Sequence, residues 1–304
     1  MCQRLRDCRF QISYGPADDR LHGFYVPALS ASVRCDRSTG FFTSSALAVA
    51  AAGVARLIAN GGTMRLLVGA ALTEEDVQAI ACGQALEEAV SQRLVAALTE
   101  PEEEVMRRRL EVLAWMVADG TLEIRVVLPT DRDGRPLPRS QAQEYYHPKE
   151  GVFTDANGDR IAFSGSINET TAGWQRNYEQ FSVYFSWDAT APYLAQVVHR
   201  FECLWQGEEP NWIAMDIPEA ARQRLLTYQP ATPPTRDPLE RQLGERPIVE
   251  TGVDFVTAID QQREQLVFQF LRDAPYLPNA AQLGAVTSAV VPWPHQARIA
   301  DTIV

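Results

Sequence analysis

The chain has 304 residues, of which 46% are hydrophobic and 22% charged, and its net charge is −11. No apolar run approaches the ~18 residues of a membrane span, and the opening Met-Cys-Gln-Arg-Leu-Arg lacks signal-peptide character, so a cytoplasmic protein that meets no membrane is expected rather than an integral or secreted one. The acidic balance disfavours nonspecific nucleic-acid binding over the whole surface but allows a local Arg-lined groove.

Residues 20–45 hold a Pro-punctuated apolar stretch and then Gly40-Phe-Phe-Thr-Ser-Ser, which reads as a strand running into a helix capped by Thr43, Ser44 or Ser45. An Ala-rich helix over 46–59 is stopped by Asn60-Gly-Gly, and 64–69 is a short apolar strand. Helical spacing recurs near 84–99 (Leu86, Val90, Leu94) and near 102–118 (Met106, Leu110, Leu113, Val117). Arg107, Arg108 and Arg109 on the second of these read as a solvated face, with a DNA-backbone contact as the alternative. Residues 122–128 form the next strand and 129–143 a loop.

Three strand-like runs follow, over 145–154, 160–167 and 178–187, and Asn157-Gly158 between the first two is a hairpin signal. A helix is expected over 190–206. Strands mixed with long helices imply an α/β fold with a mixed β-sheet sandwiched between helices. The first domain is placed at 1–208 and a connector with a Pro-rich linker at 209–250. A helical segment at 251–285 and the start of a further domain at 286–304 complete the division.

Five cysteines (Cys2, Cys8, Cys35, Cys82, Cys203) without a CxxC suit a reduced compartment, and His22, His147, His199 and His295 lack ligand-like spacing, so no metal site is expected. Of the 28 basic residues 27 are Arg; the one Lys is Lys149, in His147-Pro-Lys149. His147 and Lys149 are two apart on the strand-like run 145–154, so both point to one face. Ser166 and Asn168 of Gly165-Ser-Ile-Asn168, on the partner strand, can face the same way. An imidazole, an ammonium, a hydroxyl and a carboxamide at one spot suit the nonbridging oxygens of a phosphate. The His would serve as nucleophile or general acid, and Glu179 on the next strand would orient its ring. Against this stands the plain reading that a strand His is more often structural and that Gly-Ser is a common turn.

HxK followed by GSxN resembles the HKD motif of the phospholipase D-like superfamily of nucleases and phosphodiesterases. The longer text HPKEGVFTDANGDRIAFSGSINETTAGWQRNYEQFSVYFSW, with FYVPAL, TGFFTSSALA and NGGTMRLLVGAALTEEDV, resembles a branch found at the N-terminus of bacterial superfamily 2 helicases of phage defence and restriction; the likeness covers about residues 20–206. It implies a phospholipase D-like fold and a metal-independent DNA nuclease working through a phosphohistidine. His147 would be the nucleophile, Lys149 and Asn168 the phosphate clamp, Ser166 a supporting donor and Glu179 the orienting group. Arg34 and Arg37, in the family-like stretch before Gly40-Phe-Phe, are candidates for binding substrate.

The sequence departs from the family pattern where the Asp expected five residues after the Lys is Thr154, with Asp155 one further on, and where the segment to GSxN is longer. A single HKD motif implies a homodimer with a shared site. Pro292-Trp-Pro-His295-Gln296 resembles the entry to a helicase core, while no GxxxxGK[ST] is present. The chain is therefore expected to be an N-terminal piece that needs no cofactor itself, with ATP serving the missing motor. DNA, the helicase domain and defence-system proteins are the implied partners. The alternatives are a catalytically inactive DNA-binding or dimerisation module that positions the motor and, further off, a lipid phospholipase.

Overall fold

The computed structural model describes residues 4–15, 18–101, 103–142, 144, 146–165 and 180–240. All of them lie in a compact unit that ends at Glu240. Its centre is one sheet of eight strands in the order β1-β7-β6-β5-β2-β3-β4-β8. The strands are β1 (Ser13–Tyr14), β2 (Ser32–Phe41), β3 (Thr63–Gly69), β4 (Leu122–Pro129), β5 (Glu150–Asp155), β6 (Arg160–Gly165), β7 (Phe181–Phe185) and β8 (Trp212–Asp216). β2, β3 and β4 run parallel, and every other neighbouring pair is antiparallel.

The middle of β3 and of β4 is a continuous apolar run because both faces of the sheet are covered there. Leu66, Val68, Val126 and Leu128 enter the larger core, while Leu67 and Val127, between them in sequence, enter a smaller one on the opposite face. The larger core lies under the helices α1 (Val26–Ala31), α2 (Ser44–Ala50), α3 (Ala55–Ala59), α4 (Glu74–Ala81), α5 (Leu86–Ala97) and α6 (Glu104–Asp119). The smaller face is closed by α7 (Ala191–Gln206), whose Leu194, Val197, Phe201 and Trp205 are buried at helical spacing. This is the mixed α/β sheet between helices that the sequence implies.

Local chemistry sets the boundaries. Thr43 caps α2, its hydroxyl accepting from the Ala46 N–H at 3.2 Å. The helix expected over 46–59 is two helices, because Gly53 takes a left-handed φ of +74° between them. Its N–H donates to Asp237 at 3.0 Å. Thr73 and Asp76 form a reciprocal capping box that opens α4, a helix the apolar pattern does not announce. At the Asn157-Gly158 turn Asp155 accepts from the N–H groups of Asn157 and Asp159 and also from Leu5. The residue that stands near the family's Asp position thus ties down a hairpin at the end of β5 farthest from His147.

The chain beyond 208 stays with the sheet. β8 pairs with the edge of β4, and α8 (Glu219–Leu226) buries Ala221 and Leu225. The Pro-rich stretch continues as packed chain as far as Glu240. Asp237 is 3% exposed and accepts two hydrogen bonds from Arg109, at 2.9 and 3.1 Å, and Glu240 pairs with Arg56. The boundary expected at 208 therefore falls inside the unit. Of the arginine triplet, Arg107 and Arg108 do pair with surface glutamates, but Arg109 is a buried ion-pair partner rather than part of a solvated face. The expected segments 251–285 and 286–304 lie outside the described residues.

Candidate active site

The carboxyl ends of β2, β3 and β4 form one rim of the sheet, the place where open α/β sheets bind ligands. Along β2, Arg34, Asp36, Ser38 and Gly40 occupy the α7 side by alternation. The chain returns to this rim just before β5. That strand begins at Glu150, not at 145, so His147, Pro148 and Lys149 form an extended lead-in rather than strand.

Two glycines make room for the lead-in. A Cβ on Gly40 would stand 2.9 Å from Cδ2 and 3.2 Å from Nε2 of His147, and one on Gly69 would stand 2.9 Å from the Tyr146 carbonyl oxygen. The two 2.9 Å distances are shorter than real Cβ contacts, so the imidazole rests on bare β2 backbone and the Tyr146 backbone on bare β3. His147 is exposed at the mouth of a cleft of about 370 Å³, with Ser38, Glu150, Arg200, Leu204 and Trp212 around it. Lys149 is 7% exposed and does not line this cleft, so the two motif residues stand in different surroundings despite their spacing.

Glu150 anchors the cleft floor. It sits between Ser38 of β2 and Ser164 of β6 in register, accepts from the Ser164 hydroxyl at 2.8 Å, and accepts from Arg200 of α7 at 2.7 Å. Tyr146 is buried beside this row, and burial pushes its phenol up, with Ser38 acting in the opposite direction.

The predicted substrate arginines are elsewhere. Arg34 lines a neighbouring hollow with Asp36, Phe201 and Glu202, where its Nε donates to Asp36 at 3.1 Å. Arg65 joins the same group, donating to Asp36 at 2.7 Å and to Glu202 at 2.5 Å. Burial opposes the Arg65 charge, but the hydrogen bonds to the two carboxylates outweigh it and raise its pKa. The same guanidinium holds Glu202 below the usual carboxylate range. Arg37 is 3% exposed on the other face, its guanidinium 4.7 Å from the Phe163 ring centre and 5.3 Å from that of Tyr25. Neither arginine lines the His147 cleft.

Ser166, Asn168 and Glu179 lie outside the described residues. Gly165, the first residue of that motif, is described, and a Cβ there would stand 2.5 Å from the Phe181 Cα. Only glycine permits β6 and β7 to meet this closely. Sequence reasoning did not single out Glu150, Arg200 or Trp212. Glu150 offered one signal, as a charge directly following the motif Lys, whereas Arg200 and Trp212 come to the cleft through pairings between distant segments. Among the described residues no group of three or more His, Cys, Asp or Glu could hold a metal.

The chain matches no family model and no curated protein. Its backbone is similar to solved structures at low identity. One is a phosphatidylserine synthase from Haemophilus influenzae Rd KW20, with 17% identity, 70% of this chain and 43% of that one covered, and a TM-score of 0.37. Another is Nuc, a phospholipase D family member from Salmonella typhimurium, with 10% identity, 67% and 95% covered, and a TM-score of 0.35. NucT from Helicobacter pylori shows 10% identity, 67% and 97% covered, and a TM-score of 0.34. The chain thus spans under half the length of the first of these.

Proposed function

We propose that the chain is a phospholipase D-like phosphodiesterase that cleaves DNA through His147, as the nuclease part of a helicase-linked defence or restriction protein. One observation carries the reading: the exposed imidazole of His147 rests on Gly40 at the carboxyl rim of the parallel strands, over an open cleft. A His that served only packing would have no need of a glycine floor at a ligand-binding rim. The resemblance of His147-Pro-Lys149 and Gly165-Ser166-Ile-Asn168 to the HKD motif supplies the chemistry.

In this mechanism a ring nitrogen of His147 attacks phosphorus and the bond to the leaving oxygen breaks. That oxygen takes a proton from His147 of a second copy. Water, deprotonated by the same second imidazole, then attacks the phosphohistidine, releases the phosphate monoester and restores His147. Lys149, Asn168 and Ser166 stabilise the phosphoryl oxygens and Glu179 fixes the ring, each role following from the motif resemblance. No step requires a metal.

The test is incubation of the purified protein with plasmid and with single-stranded DNA in EDTA, beside His147→Ala and Lys149→Ala. Cleavage in EDTA that both variants lose is the expected result. Cleavage that persists in His147→Ala overturns the assignment, and DNA binding without cleavage under any condition favours the inactive module.

A further inference from the structure

Trp212 opens β8 opposite Pro129 of β4 and lines two hollows at once. One is the His147 cleft. The other, of about 380 Å³, has Thr130, Gln141, Glu144 and Asn211 in its wall, and its volume is in the range of small-molecule sites. The Trp212 ring is half-buried and meets Tyr146, the residue before His147, edge to face at 6.0 Å. The ring therefore separates the catalytic cleft from the second hollow and is coupled by contact to the segment that carries the imidazole.

The backbone supporting it is unusual. Asn211 has φ +64°, the single non-glycine residue in that region among the described residues, and its carbonyl accepts from the Thr130 N–H at 2.7 Å. Such conformations persist where the surroundings over-determine them, and they gather at ligand clamps. Here the residue in that conformation immediately precedes the tryptophan.

The lining also restricts the ligand. Among the described residues Arg132 is its one cation, against Asp131 and Glu144. One oxygen of the Asp131 carboxylate, Oδ1, accepts from the N–H groups of both Asp133 and Arg135 at 2.9 Å each. Glu144 is exposed and makes no ion pair with another described residue. A hollow with an exposed carboxylate, unpaired among the described residues, and an aromatic wall is poorly suited to phosphate. It suits a flat ring that brings its own N–H donors.

We propose that this hollow is a nucleobase site for an unpaired guanine next to the scissile phosphate of single-stranded DNA. The base stacks on Trp212. Its N1–H and exocyclic N–H donate to the two oxygens of Glu144, and Arg132 or Gln141 donates to its O6. Guanine alone among the DNA bases presents that adjacent donor pair. The phrase "next to the scissile phosphate" rests on the phosphodiesterase reading above; the base site itself does not.

The test uses the full chain carrying His147→Ala, so that cleavage does not intervene, and two labelled single strands, one of thymine only and one with a single central guanine. Fluorescence anisotropy should show about tenfold tighter binding of the guanine strand. Glu144→Gln and Trp212→Ala in that background should bind both strands equally, while Trp212→Phe keeps the preference. Glu144 is exposed, so its variant remains informative even if Trp212→Ala fails to fold. Equal binding of the two strands, or a guanine preference that survives Glu144→Gln, overturns the proposal. The native chain assayed with the same strands in EDTA separates the two readings. Cutting of both strands alike leaves the phosphodiesterase standing and overturns the placement of the base site next to the scissile phosphate. Guanine-dependent binding with no cutting leaves the base site and removes the His147 chemistry.

Discussion

The imidazole of His147 lies directly over Gly40, so close that a methyl group on that glycine would be 2.9 Å from its Cδ2. Gly40→Ala therefore displaces the ring without touching its chemistry. Because the displaced group is an exposed side chain rather than backbone, the fold should survive. A shift of about 1 Å in a reacting group costs on the order of 100-fold in rate. The expected outcome is a melting temperature close to that of the unmodified protein with cleavage reduced about 100-fold, read by parallel thermal melts and plasmid assays. Unchanged cleavage would show that the position of the ring is not used.

Lys149→Arg is the second probe. The chain uses Arg at 27 of its 28 basic positions, so the exchange is conservative by the protein's own habit. At this position it is not conservative. Lys149 is 7% exposed, and a planar guanidinium needs more room and different hydrogen-bond directions than an ammonium. Cleavage should fall about 100-fold or more while far-ultraviolet circular dichroism stays unchanged. Near-normal activity would remove Lys149 from the phosphate clamp.

Much of the fold was legible because it is written in local signals. The apolar runs over 63–69 and 122–129, the Gly120 helix stop and the Asn157-Gly158 turn all depend on neighbours in sequence. What was not legible depends on distant pairing. β8 is a strand because it pairs with the edge of β4, and Arg109 is buried because Asp237 comes 128 positions later to meet it. The site divides in the same way. His147 and Lys149 were visible as a motif, but their shared face rested on a strand that starts three residues too late to hold them. Arg34 and Arg37 looked alike in sequence, yet strand alternation sends one to an ion-pair network under α7 and the other among aromatic rings.

The Arg109–Asp237 pair yields a stability prediction. Both side chains are almost fully buried, 6% and 1% exposed, so removing one leaves the other charge without its compensation. Breaking such a pair costs about 3–5 kcal/mol. Asp237→Ala should lower the unfolding free energy by that amount in denaturant titrations and release the Gly53 N–H contact with it. A loss of under about 1 kcal/mol, the size of a surface pair, would mean that residues 229–240 do not pack as described.

Acid sensitivity should trace in part to Glu202. Its hydrogen bond from Arg65 holds its pKa below the ordinary value of 4.5. The folded protein thus binds fewer protons at Glu202 than the unfolded chain. The stabilisation is fully present above about pH 4.5 and is lost as the pH falls through the lower, folded value. Glu202→Gln lacks this contribution at every pH. Its melting temperature should lie below that of the unmodified protein at neutral pH, and the gap should narrow as the pH drops below about 4.5. The side chain is partly solvated, so the gap is modest. A gap that stays constant down to about pH 3 would exclude this origin.

The proposed mechanism asks for two imidazoles, and the HKD motif occurs once in the sequence given, so the proposal takes the second from another copy. Chain mixing tests this without any knowledge of the interface. His147→Ala chains that still fold will exchange into dimers with unmodified chains. If each site needs both imidazoles, an equal mixture holds its unmodified chains half in intact dimers and half in dead hybrids. Activity per unmodified chain then falls to about half, and it continues to fall in proportion as the variant is added in excess. If one His147 is enough, activity per unmodified chain stays flat at every ratio, and the shared site is wrong even if the protein is a dimer. Subunit exchange has to be verified in the same samples, by capturing a tagged variant and detecting untagged chains with it. With exchange verified, a flat titration leaves His147 as nucleophile and requires the leaving-group proton to come from a different residue of the same chain.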